Sequence, residues 1–212
     1  MEGQSAVTVF DLVASGDVIA NSHAGTIDGG IKLAAGADTI TNAGSIDGAI
    51  AFTGAGITNS LTNSGEIAGN IKFSSTHSTL ANSGSMTGDV TLAGADTLIN
   101  TGVIHGDVTL GVSDIVELSV GEITGAVTGK TNDLFAFSGN FGNETIDKFI
   151  GGTGPTHDTI RFATNDFGSF ATVKNHMSQV GADVVIRLDG TDSITLDRIK
   201  LSSLVAADFK FV

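Results

Sequence analysis

The side chains in this sequence that could do chemistry are mostly acidic, and many of them sit beside glycine. Asp38 lies in Gly36-Ala37-Asp38-Thr39-Ile40 and Asp96 in Gly94-Ala95-Asp96-Thr97-Leu98, and the same column holds Asn59, Ser78 and Asp114. Asp133, Asn143, Glu144, Asp147 and Asp158 follow. Left to themselves, carboxylates at glycine turns face solvent and cap the turn. His23, His77, His105, His157 and His176 are scattered without His-x-x-x-His or His-plus-carboxylate spacing, so they are expected at the surface rather than on a transition metal. There is no Gly-x-Ser-x-Gly elbow, phosphate-binding glycine loop or dinucleotide fingerprint. A lyase or epimerase needs clustered acids with a base on one face, yet up to Gly129 the repeats contain only Lys32 and Lys72 as bases and no arginine. No catalytic residues are assigned, and the chain is read as a non-enzyme.

The elements that carry these residues are repeats. Asn42-Ala43-Gly44-Ser45-Ile46-Asp47-Gly48 returns as Asn63-Ser64-Gly65-Glu66-Ile67-Ala68-Gly69, Asn82-Ser83-Gly84-Ser85-Met86-Thr87-Gly88 and Asn100-Thr101-Gly102-Val103-Ile104-His105-Gly106. Degenerate copies flank them at Gly25 to Gly29, without Asn at the matching offset, and at Gly121 to Gly125, with Ser119 there. The first glycines fall at 25, 44, 65, 84, 102 and 121, giving six coils spaced 18 to 21 residues apart. That is the length of a narrow β-helix coil and too short for a helical repeat.

Within each coil the pattern alternates with period two. Ile31, Ile50, Ile71, Val90, Val108 and Val127 form one apolar column, and Leu33, Phe52, Phe73, Leu92 and Leu110 a second. Ile40, Leu61, Leu80, Leu98 and Val116 mark another strand. Apolar side chains are expected inward and polar ones outward, with Gly/Asn corners between strands. The Asn column at 42, 63, 82 and 100 reads as stacked corner residues bonding to neighbouring amides. Six coils at strand spacing make a rod of roughly 25 to 30 Å, whose open ends need caps. The outward column Lys32, Ala51, Lys72, Thr91, Thr109 and Thr128 is too irregular for a threonine ladder of the ice-binding kind.

Composition narrows the partners. With 23 acidic and 10 basic side chains the net charge is -13, which repels a phosphate backbone, so no nucleic acid is expected. The absence of cysteine excludes disulfides, Cys-ligated zinc and thiol catalysis. The absence of Trp and Tyr weakens sugar binding by stacking. No basic region followed by an apolar one opens the chain, so export, if it occurs, is expected to use another signal.

After Gly129 the period fails, and most phenylalanines and all three arginines lie beyond it. The stretch from Ser169 to Val180 carries Phe170, Val173 and Met177 at helical spacing before Gly181, and predicts the one helix. Asp183 to Leu188 and Ser193 to Leu196 predict strands joined by the Asp189-Gly190-Thr191-Asp192 turn, and Leu201 to Val212 is an apolar ending.

The run from Gly181 to Leu196, then Ile199, Leu201, Leu204 and Ala207-Asp208-Phe209-Lys210-Phe211, resembles the carboxy-terminal region of RTX proteins exported by type I secretion. The likeness covers about residues 139 to 212 and takes in Glu144-Thr145-Ile146-Asp147-Lys148-Phe149. It implies an uncleaved C-terminal export signal, a type I secretion partner and Ca²⁺-driven folding outside the cell. In that family the cation is held by G-G-x-G-x-D-x-U-x. The nearest copies here are Gly139-Asn140-Phe141-Gly142-Asn143-Glu144-Thr145-Ile146 and a stretched Gly151 to Ile160, with half-motifs at Asp38 and Asp96. The resemblance therefore nominates Asp133, Asn143, Glu144, Asp147, Asp158, Asp38, Asp96 and Asp114 as Ca²⁺ ligands.

Together these readings give an all-β chain. Residues 1–20 are a lead-in strand or N-terminal cap, 21–129 a parallel β-solenoid of about six coils, and 130–212 an RTX-like β cap with one short helix. The expected function is that of a secreted structural or adhesive module at a Gram-negative cell surface, in a surface layer, adhesin or matrix. Expected partners are copies of itself, end to end, and a cell-surface polysaccharide. The alternative is an accessory calcium-binding and export domain of a larger secreted lyase, epimerase or protease.

Overall fold

Short strands form where apolar and polar side chains alternate, because one row then faces inward while the backbone pairs sideways with the next coil. In the computed structural model, which describes residues 10–54 and 57–212, these strands stack into parallel sheets. Residues 1–9, which include Met1 and much of the expected lead-in, lie outside the described residues, as do 55 and 56.

One sheet begins at Phe10–Ser15 and takes a strand from each coil in turn: Ile31–Ala35, Ile50–Phe52, Ile71–Phe73, Val90–Thr91, Val108–Thr109 and Ala126–Thr128. A second contains Val18–Asn21, Thr39–Asn42, Ser60–Asn63, Thr79–Asn82, Thr97–Asn100 and Ile115–Leu118. The third runs through Thr26–Asp28, Ser45–Asp47, Glu66–Ala68, Ser85–Thr87, Val103–His105 and Glu122–Ile123. Among the described residues the third sheet thus supplies one strand to each of six three-sided coils, as the glycine spacing predicts.

The expected columns are in register and buried. Ile50, Ile71 and Val90 face one another coil by coil, as do Leu61, Leu80 and Leu98. A further inward column, Ile46, Ile67, Met86, Ile104 and Ile123, fills the third side. Phe52 and Phe73 stack with ring centres 4.5 Å apart. At about 25 cal/mol per Å² of apolar surface removed from water, these ladders are the main term favouring the rod.

The glycines of the repeat answer to stacking. A methyl group on Gly65, Gly84 or Gly102 would sit 2.1 Å from the backbone oxygen of the glycine one coil earlier. Coils come so close at this corner that no side chain fits between them.

The sequence period ends at Gly129, but the sheets do not. Leu134–Phe137 and Asn143–Asp147 add a seventh turn to the second and first sheets. Thr159–Phe162 and Phe209–Phe211 extend the second sheet, and Ser193–Leu196 extends the first. The first sheet then finishes antiparallel through Asp183–Arg187 and Met177–Val180. The predicted hairpin around Asp189 to Asp192 is present.

The predicted helix is shorter than its pattern. It covers Phe170–Asn175, with Ser169 accepting the Thr172 N–H as its N-cap. Met177–Val180 is a strand rather than the last helical turn, because Gly181 adopts a left-handed φ of 63° and folds that segment back on Asp183–Arg187. Two other details differ. Asn21, not the residue two before Gly25, is in register with Asn42, since the first unit is longer at that corner. Below Asn100 the column continues through Leu118, not Ser119, and then through Phe137, Phe162 and Phe211.

Candidate functional site

Most of the polar residues singled out by the sequence stand at the corners, where the chain turns between sheets and backbone groups would otherwise lose their partners. Two buried ladders of side chains supply those partners.

The first is made of asparagine. The Nδ2 of Asn21 donates to Oδ1 of Asn42 at 2.8 Å, and the same 2.8 Å bond links Asn42 to Asn63, Asn63 to Asn82, and Asn82 to Asn100. Each amide also donates to backbone oxygens, as Asn42 does to Glu66. Only a side chain with both a donor and an acceptor can repeat this bond indefinitely. That is why the column is Asn and not Asp, and why it ends where Leu118 replaces it.

The second ladder is mostly aspartate, and each rung directly precedes a strand of the second sheet. Oδ1 of Asp38 accepts the Asp17 N–H, Asn59 the Asp38 N–H, Ser78 the Asn59 N–H, and Asp96 the Ser78 N–H. Asp114 accepts from Asp96 at 2.8 Å, Asp133 from Asp114 at 2.9 Å, and Asp158 from Asp133 at 2.8 Å. The second oxygens of the later rungs take amides of their own coil: Ala93 and Gly94 on Asp96, Gly111 on Asp114, Lys130 on Asp133, Ile150 on Asp158. Asp38, Asp96 and Asp114 in the repeats and Asp133 and Asp158 beyond them therefore belong to one ladder.

Sequence reasoning missed two residues of this kind. Asp208 precedes Phe209–Phe211 and accepts the Gly152 and Val205 N–H groups, and Asp192 precedes Ser193–Leu196 and accepts the Gly142 N–H. The signal was an acid immediately before an apolar strand, as in Asp38-Thr39-Ile40.

The remaining candidates diverge. Asn143 accepts the Ser193 hydroxyl, Asp147 pairs with Arg198 at 3.0 Å, and Glu144 points inward and accepts the Ile123 N–H. Among the described residues no three His, Asp or Glu side chains are grouped as metal ligands. A calcium ion asks for roughly six to eight convergent oxygens. The last four Asp rungs give both oxygens to amides, so those four, as folded, do not offer the convergent oxygens that ion needs.

Burial opposes ionisation along the ladder. It pushes the Asp114 and Asp133 carboxyls up to about 6, against their amide donors, with neighbouring aspartates adding to the rise. Asp96 and Asp158 are raised for the same first reason. Glu144 is pushed furthest, to about 8, because it is buried with a single amide donor and its Oε2 has no hydrogen-bond partner.

The folded chain thus keeps a proton on Glu144 that the unfolded chain loses above about 4.5. Its contribution is complete below that pH and is lost as pH rises through about 8. Glu144→Gln is expected to flatten the fall in thermal midpoint between pH 5 and 9 and to raise stability at pH 9 by on the order of 3 kcal/mol. Melting curves across that range check it; an unchanged slope would contradict it.

Comparison with protein-family models, with characterised proteins and with solved structures gives no match.

Proposed function

We propose that this chain is a non-enzymatic structural module of the bacterial exterior, exported by a type I system and used in a surface layer, adhesin or matrix. The observation that carries the reading is the difference between the two ends of the rod. One end is covered by the antiparallel hairpin, the helix and Phe209–Phe211. At the other, among the described residues, Val18–Asn21 and Thr26–Asp28 are edge strands, each paired on one side only. An edge of that kind is a template for another strand, which suits a second copy docking end to end.

The long, cysteine-free repeat and the RTX-like ending support export in the unfolded state with folding outside. Light scattering and electron microscopy of the purified chain test the assembly. Concentration-dependent pairing of two chains at their uncovered ends, blocked by Thr26→Lys together with Ala20→Lys at the edge, is expected. A monomer at all concentrations would contradict self-association and favour an accessory domain of a larger secreted enzyme.

A further inference from the structure

In a chain with 10 basic side chains and a net charge of -13, where the bases sit is informative. Arg161 is held by Glu117 at 2.7 Å and Arg198 by Asp147 and Asp197. Lys130 and Lys148 are different. Both are exposed, both line one groove of about 480 Å³, and neither forms an ion pair with an acid among the described residues.

The groove has a consistent chemistry. Its other lining groups include the hydroxyls of Thr109 and Thr128 and the apolar side chains of Leu110 and Ile150, so its ionisable lining is wholly cationic. Two acids near it have other partners. Asp114, on which Lys130 acts electrostatically, gives its oxygens to the Asp96 and Gly111 amides, and Asp147, beside Lys148, is held by Arg198. Lys148 is held at a left-handed φ of 60°, which fixes the chain where its side chain leaves the backbone.

Register gives the groove a direction. Thr109 pairs with Thr128, and Thr128 with Asp147, the residue before Lys148. The lining therefore crosses three successive coils, about 10 Å along the rod at strand spacing. The volume is within the range of small-ligand sites.

We infer that this groove binds a carboxylate-bearing oligosaccharide lying along the rod axis. The ammonium groups meet carboxylates, the threonine hydroxyls meet sugar hydroxyls, and Ile150 meets the C–H face of a ring. This requires no aromatic platform. The chain's overall negative charge acts against an anion at long range, but screening at physiological salt limits that repulsion to about 8 Å. The inference is independent of whether the rod self-associates.

The test is calorimetric titration of the full chain with an oligomer of uronic acid, in chelator, beside a neutral oligosaccharide of equal length and beside acetate. Saturable binding of the uronate is expected, with no binding of the neutral sugar and far weaker binding of acetate. Lys130→Ala and Lys148→Ala are each expected to weaken it about tenfold, the factor of one charge-assisted contact. Because both side chains are exposed, melting curves should remain those of the parent. Absence of uronate binding, equal binding of the neutral sugar or acetate, or affinity unchanged in the double variant would each overturn the assignment.

Discussion

Asp114→Ala is expected to destabilise the rod by roughly 3 to 5 kcal/mol, since it leaves two buried amides, those of Asp96 and Gly111, without an acceptor. The loss is partly offset, because removing the carboxylate also removes the cost of burying it, the cost that raises its pKa to about 6. Asp114→Asn separates the two effects. An amide keeps the bond to Asp96 but turns an N–H₂ toward the Gly111 N–H, so a loss about half as large is expected. Asn is native at the Asn59 rung, where its Nδ2 has the Ser75 hydroxyl as acceptor at 2.9 Å. Chemical denaturation of the three proteins at pH 7 measures the order. Equal stability of Asp114→Ala and the parent would mean that the ladder does not support the coils.

Gly84→Ala carries the other large effect. The added methyl would stand 2.1 Å from the Gly65 oxygen, and that oxygen accepts the Ser85 N–H, so moving it breaks the ladder that joins the coils. A loss of about 4 kcal/mol or more is expected, at the upper end for single substitutions. Gly154→Ala is the matched control, because nothing lies within 4 Å of the position a methyl would take there. Gly154→Ala should melt as the parent does, and a Gly84→Ala protein melting beside it would show that coils can separate at this corner at little cost.

Most of the rod was legible because stacking makes each coil repeat the constraints of the one before. Ile50, Ile71 and Val90 lie in one column because their strands pair, and Gly65 and Gly84 recur because backbones touch there. The candidate ligands were legible as residues and less so as a set. Asp133 and Asp158 share a ladder with Asp114, but 25 residues separate Asp133 from Asp158 where earlier rungs are 18 to 21 apart, so a fixed period does not connect them. The end of the helix was hidden for a different reason. Met177 satisfies helical spacing and strand alternation alike, and pairing with Ile186 decides between them only once the hairpin is formed. The groove was invisible in sequence, since Lys130 and Lys148 meet only when successive coils are stacked.

Side chains bonded to the amides of neighbouring coils hold this rod, and Asp96, Asp114, Asp133 and Asp158 each accept amides on both carboxylate oxygens. The most direct test is circular dichroism melting of the whole chain in chelator and in millimolar Ca²⁺. The same cooperative β-sheet transition at the same midpoint is expected in both. A chain that is unfolded in chelator and gains its β signal only with Ca²⁺ would contradict it.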